Sequence, residues 1–308
     1  MSLLLHGALQ IALMLVLPVL FVGVVNRTKA IWAGRRGPSL VQSAHDLVRL
    51  VRKRPVYSEV TSELFWLGPL ALLATTLVSG FVVPILGARA PIALPFDFVG
   101  LAYLWGLGRF MLVLAALDTG SSFEGMGAAR EATFAAFVEP VFFLTVGSLG
   151  LATGARSFDA ILHVSVARPE GLVVLGGALV ALLIVLATES SRMPVDDPTT
   201  HLELTMIHEV MILDHAGPDL AAVQLATSMK MTLCAAVIAS LVNPFRASAA
   251  LGAAFNVTGI LLIAVVVGCV ESLIPRIRLR AVPELLLVGI AAALVALLAA
   301  AWSLGAPP

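Results

Sequence analysis

Eight stretches of this chain run long enough without polar interruption to cross a bilayer. They fall near residues 3–25, 64–86, 98–117, 132–153, 171–188, 227–245, 248–270 and 284–304, each close to the roughly 20 apolar residues that span about 30 Å of hydrocarbon. All but the third, fourth, sixth and eighth lack Asp, Glu, Lys and Arg, and the eighth holds only Glu284 at its first position. The first is followed by Asn26-Arg27-Thr28-Lys29, not by a small-residue cleavage site, so it reads as a span and not as a removable signal. The period changes after it. Leu40, Val41, Ala44, Leu47, Val48 and Val51 recur at helical spacing opposite Gln42, His45, Asp46, Arg49, Arg52 and Lys53, with Pro38 suited to a first helical position. That pattern predicts a basic interfacial helix, either an anchor to anionic lipid or a docking surface for a cytoplasmic partner.

A second departure lies between the fifth and sixth runs. Glu189, Asp196, Asp197, Glu203, Glu209, Asp214 and Asp219 fall within about thirty positions, together with His201, His208, His215 and Arg192. Seven of the chain's 19 acids in one loop repel one another unless water, partners or bound protons offset the charge. The expected fold class is therefore an all-α integral membrane protein: eight transmembrane helices, a basic interfacial helix and an acidic cytoplasmic loop. Residues 1–308 read as a single polytopic domain without repeats.

Composition agrees. The chain is 59% hydrophobic and 12% charged, with zero formal net charge and a mean hydropathy of +1.01, which places it in the membrane class and away from nucleic-acid binders. Segments after odd-numbered runs, with Lys230, hold 14 of the basic residues, against Arg89, Arg156, Arg168 and Arg246 on the other side. Both termini are thus expected outside. Cys234 and Cys269 fall inside predicted spans without CxxC spacing, and His201 and His208, flanked by Glu203 and Glu209, lack the HExxH spacing. No metal or cofactor is expected in this chain. The Gly-rich loop from Asp118 to Arg130 lacks a phosphate-binding spacing, and Lys230 and Glu271 read as charges snorkelling at cytoplasmic ends.

Arg109 and Glu139 are different, because each would cost a few kcal/mol if isolated at mid-membrane. Arg109 lies nine residues before the end of the third span near Asp118, and Glu139 lies eight residues into the fourth, beside Pro140. At about 1.5 Å per residue both sit roughly 12–14 Å deep, so two antiparallel neighbours would bring them together.

The run Arg36-Gly37-Pro38-Ser39-Leu40-Val41-Gln42, with Asp46 and Arg49-Leu50 following, resembles the first cytoplasmic loop of the membrane subunit that anchors group 4 nickel-iron hydrogenases. More distantly it resembles that loop of the quinone-site membrane subunit of respiratory complex I. Leu117-Asp118-Thr119-Gly120-Ser121, preceded by Arg109, is similar to the formate-hydrogenlyase form. Gly127-Ala128-Ala129-Arg130 followed by Glu139 is similar to both branches, and Glu189-x-x-Arg192-x-Pro194-x-Asp196 to their shared fifth-loop signature. Thr199 and His201 stand where that family carries acids, and the shortened segment before Gln42 favours the hydrogenase branch. The resemblance implies a non-catalytic subunit of an oxidoreductase complex that docks a peripheral electron-transfer arm and couples its chemistry to proton or sodium movement. The path it implies runs through Glu139, Arg109, Glu189, Glu203, Asp196 and His201. Arg36, Gly37, Pro38, Gln42, Asp46, Asp118, Arg130, Arg192 and Pro194 take the docking and loop-shaping roles. The implied partners are an iron-sulfur small subunit, a hydrogenase-like large subunit and antiporter-like membrane subunits. Those partners hold the iron-sulfur clusters and, in one branch, a nickel-iron centre; quinone belongs to the other branch. A bacterial or archaeal inner membrane is the implied location. The alternative is a stand-alone transporter or channel, for which paired broken spans would be the sign.

Overall fold

The computed structural model describes residues 3–87, 89–164, 169–190, 192, 195–196, 206–245, 248–275, 277 and 279–305. Its elements are α1 (Leu3–Trp32), α2 (Gln42–Val51), α3 (Leu64–Ser79), α4 (Asp97–Asp118), α5 (Ser122–Thr153), α6 (Phe158–Ile161), α7 (Pro169–Glu189), α8 (His208–Met211), α9 (Pro218–Val242), α10 (Ala249–Leu273) and, after a 3-10 turn at Leu279–Ala281, α11 (Val282–Gly305). The protein is all-helical among the described residues. Seven helices, α1, α4, α5, α7, α9, α10 and α11, are long and apolar enough to cross a membrane. Helix is forced there, since a bilayer core offers no water to unpaired N–H and C=O groups.

The run at 64–86, expected as one span, is helical only to Ser79. Sixteen residues reach about 24 Å. The chain then turns through Gly80–Gly87, where Pro84 has no N–H to donate and Gly87 takes φ +70°, a value β-carbon-bearing residues avoid. The freed carbonyls are met by side chains. Gln10 Nε2 donates to the Gly80 and Val83 oxygens at 2.8 and 2.7 Å. Asn256 Nδ2 donates to Pro84 O at 3.1 Å, Ile85 O at 3.2 Å and Ser240 Oγ at 2.8 Å. All three side chains are buried. Asn256→Leu should therefore lower the apparent melting temperature of the detergent-solubilised protein, because it takes the side-chain donor from Ile85 O, a loss of roughly 1–3 kcal/mol, whereas Pro84 O keeps Ser240 Oγ and the Gly87 N–H. Ser240→Ala should cost much less. An Asn256→Leu protein that melts with the wild type would refute this account.

The helix ends mark two faces. Ser62 N and Oγ donate to Asp118 at 2.6 and 2.8 Å, joining the start of α3 to the end of α4. Lys29 pairs with Glu271 at 2.8 Å, joining the ends of α1 and α10. Gly217, at φ +60°, lies against Arg54 where α9 begins. Together with α2, Arg192 and Asp196, these ends form one loop-bearing face. The axis of the bundle is α9, which packs on α1, α2, α3, α7 and α10 and is buried almost throughout its second half.

Three boundaries differ from the apolar runs. Helix α1 continues to Trp32, α9 begins at Pro218, and α5 begins at Ser122, ten residues before its apolar run at 132. In α5 the extra turns include the helix formers Glu124, Ala128 and Ala129, of which Glu124 and Ala128 are buried against protein. Pro140 does not break α5; it only leaves the carbonyl of Ala136 without its helical donor.

Candidate functional site

Four of the long helices bring charge to one place. Helix α4 supplies Arg109, α5 supplies Glu131 and Glu139 two turns apart, α7 ends on Glu189, and α9 supplies Lys230. Arg109 Nη1 lies 3.0 Å from Glu139 Oε1, and its Nη2 donates to Glu189. Glu131 approaches Nε at 3.2 Å, an ion-pair contact without hydrogen-bond alignment. The other oxygen of Glu189 pairs with Lys230, whose ammonium also lies 5.3 Å from the Trp105 ring centroid. Three carboxylates thus share two cations, one negative charge in excess.

Exposure gives the cluster a direction. The Glu189 side chain is 6% exposed and that of Glu139 is 52% exposed. The cluster therefore runs from a sealed centre to the lateral surface of α5. Two cavities of about 10 and 20 Å³ flank it, each near the size that admits one water. The first lies between Arg109, Glu131 and Asp196, the second between Trp105, Arg109 and Glu139. Glu139 thus has one open face and one water-sized space beside it, and Glu189 borders both spaces.

Asp196 serves the loop: buried, it accepts from the backbone N–H groups of Ile207 and His208 at 3.2 and 3.0 Å, holding the start of α8. Arg130 donates to Met206 O at 2.7 Å from α5, and Asp118 anchors Ser62 as described. Arg192 lies 3.4 Å from Glu271, which Lys29 also holds. Gln42 and Asp46 are bonded to each other at 3.3 Å and line a cavity of about 240 Å³ with Asn26, Arg192, His208 and Thr227. Arg36 is exposed beside Gly37, which packs close to Arg27 and Ala30. Pro38 lies in the loop ahead of α2 and not at its first turn. Pro194, His201 and Glu203 lie outside the described residues.

Two sequence readings are corrected. Lys230 and Glu271 do not snorkel; both are buried and ion-paired. Because α9 starts at Pro218, with proline in the favoured first turn, Lys230 lies twelve residues inside the helix. Glu131 was not singled out by sequence, since it sits at the polar margin of an apolar run that the helix overshoots.

Nearer the loop face, the His215 ring stacks on Phe65 at 4.1 Å, and among the described residues neither ring nitrogen has a hydrogen-bond partner. Burial lowers its pKa from 6.5 to about 4. The folded protein keeps this ring neutral where the unfolded chain protonates it, so stability is full above pH 6.5 and falls as pH drops toward 4. At about pH 5 the loss is about 2 kcal/mol. Melting scans should show His215→Phe flattening the acid side of the stability profile; an unchanged profile would assign the acid sensitivity elsewhere.

Comparison with known proteins agrees with this architecture. Over 276 residues the chain is 29% identical to hydrogenase-4 component C of Escherichia coli (strain K12), covering 87% of each chain. It is 25% identical over 230 residues to formate hydrogenlyase subunit 4 of the same organism, covering 73% of each. Among solved structures, a chain of the membrane-bound sulfane sulfur reductase, an archaeal respiratory membrane complex, superposes with a TM-score of 0.74 at 18% identity, covering 96% of this chain and 100% of that one. The family described as NADH dehydrogenase matches residues 6–301, and the chain belongs to that family.

Proposed function

We propose that this chain is the membrane subunit of a complex I-like or group 4 hydrogenase-like redox complex, where it seats the electron-transfer arm and couples the arm's reaction to proton translocation. The observation that carries the reading is the cluster of Arg109, Lys230 and three glutamates, which spans from the centre of the bundle to an acid half-open on its side. A half-exposed carboxylate at membrane depth is costly against lipid. The α4–α5 face around Glu139 is therefore where a second membrane subunit, of the antiporter-like kind, would cover it. The relatives are components of multi-subunit assemblies, which speaks for a subunit and gives no support to a transporter acting alone.

In this reading α3 and its turn at 80–87 complete an eighth crossing. Both termini then face outward from a bacterial or archaeal inner membrane, and α2 and the acidic loop meet the iron-sulfur and hydrogenase-like subunits. The clusters and any nickel-iron centre belong to those partners. In a quinone-reducing complex the head group would sit in the 240 Å³ cavity, where Gln42, Arg192, His208 and Thr227 are polar groups of the kind a quinone carbonyl requires.

Purification from the native membrane in mild detergent should bring the partner subunits down with this chain. Arg36→Glu should release the soluble arm several-fold into the soluble fraction while the helices stay inserted, because Arg36 is exposed on the loop face and touches none of the buried clusters. Asp196 is a poor probe of docking, since its loss would unmake the loop itself. Full retention of the arm by Arg36→Glu would move the seat elsewhere, and a chain that purifies alone would count against the whole reading.

A further inference from the structure

A groove of about 150 Å³ lies between helices α7 and α10. Leu183 and Ala187 form one wall, Val266 and Val270 the other, with Leu285 of α11 behind. A space of about this size lined by aliphatic side chains stays dry and takes an apolar guest. It is open sideways, since Leu183 and Val266 at its rim are 38% and 42% exposed. Arg192 closes its loop-face end.

The charge at that end is unbalanced. Among the described residues, Arg192 has one ionic contact, Nη1 to Glu271 at 3.4 Å, and Glu271 is already held by Lys29 at 2.8 Å. One carboxylate therefore serves two cations, and Arg280 is exposed on the turn that leads to Leu285. An apolar slot at membrane depth, capped by an arginine that shares its one carboxylate with Lys29, matches a lipid with an anionic head. A neutral helix of another subunit would fill the slot without using the charge.

We propose that this groove binds one anionic phospholipid, its acyl chain between α7 and α10 and its phosphate on Arg192 with Arg280 alongside. Arg192 also lines the 240 Å³ cavity on the inner side of the bundle. The lipid head therefore competes with Glu271 for the residue that separates membrane from cavity, and lipid composition becomes a control on the loop. The part of this that concerns the complex rests on the function proposed above; the binding site itself does not.

The test is lipid retention by the intact complex, purified in mild detergent and washed, with bound lipid identified by mass spectrometry. Wild type should keep one anionic phospholipid per chain. Val266→Trp should lose it by filling the slot, and Arg192→Gln should lower the preference for anionic over zwitterionic lipid about tenfold, the effect of one charge-assisted contact. A photo-crosslinker at position 266 in the otherwise native complex provides a control that does not depend on the folding of either variant, and it should label lipid. Crosslinks to protein alone, an isoprenoid quinone in place of phospholipid, or retention unchanged in both variants would each overturn the proposal. Failure of the partners to copurify would instead strike the proposed function and leave the lipid result readable.

Discussion

Glu189→Gln should abolish stable assembly of this protein, because it strands Lys230 and takes one of three carboxylates from Arg109. The carboxylate contacts Arg109 through one oxygen and Lys230 through the other, in a setting where all three side chains are almost wholly buried. Arg109 keeps Glu131 and Glu139. Among the described residues Lys230 keeps only the face of Trp105, whose attraction is about 2 kcal/mol at best. Breaking one side of a buried ion pair costs about 3–5 kcal/mol, a large share of the roughly 5–15 kcal/mol that holds a typical domain folded. Yield and apparent melting temperature should both fall. A Glu189→Leu, Lys230→Leu double variant should regain much of the lost stability, since replacing both charges with apolar groups is often neutral or better. Proton coupling should stay absent in the double variant. Wild-type stability in Glu189→Gln would mean that the cluster is not held together as an ion-pair chain.

The legible part of the fold was whatever the bilayer dictates. Uninterrupted apolar runs located the long helices, and the cost of charge at depth placed Arg109 opposite Glu139, where the structure has them 3.0 Å apart. Hydropathy was a poor guide to where helices end, since a helix continues for as long as protein covers its polar face. Thus α5 carries Glu124 and Glu131 on turns that the apolar run does not include. The same logic misread Lys230: an apolar run starting near 227 puts it at a boundary, whereas α9 starts at Pro218 and buries it. At 64–86 the error was the reverse. The composition is that of a span, yet Gly80, Pro84 and Gly87 stop the helix, and the hydrogen bonds it loses are supplied by Gln10 and Asn256, far away in sequence. No local pattern announces such a partner. The Arg192, Glu271 and Lys29 group is likewise assembled from three separate segments, each of which alone reads as an ordinary membrane-edge charge.

Glu139→Gln should leave the complex assembled and uncouple it. With three carboxylates and two cations the cluster has one negative charge too many, and the half-exposed Glu139 is the member best able to exchange a proton with a neighbour. Glutamine can still accept from Arg109 Nη1 with its side-chain oxygen, and the remaining Glu131 and Glu189 balance Arg109 and Lys230. The variant therefore removes the surplus charge without stranding a partner. What it removes for good is the carboxylate that the proposed function uses to carry a proton. Arg109→Ala has the opposite balance, since three carboxylates then face Lys230 alone and repulsion in a low dielectric should impair assembly and coupling together. Both are measured on the intact complex in sealed vesicles, as proton uptake per redox turnover with subunit content determined in parallel. Glu139→Gln should bring the ratio near zero with full subunit content, and Arg109→Ala should lower both. A Glu139→Gln complex that moves protons at the wild-type ratio would make Glu139 a structural counter-ion and take the proton path out of α5.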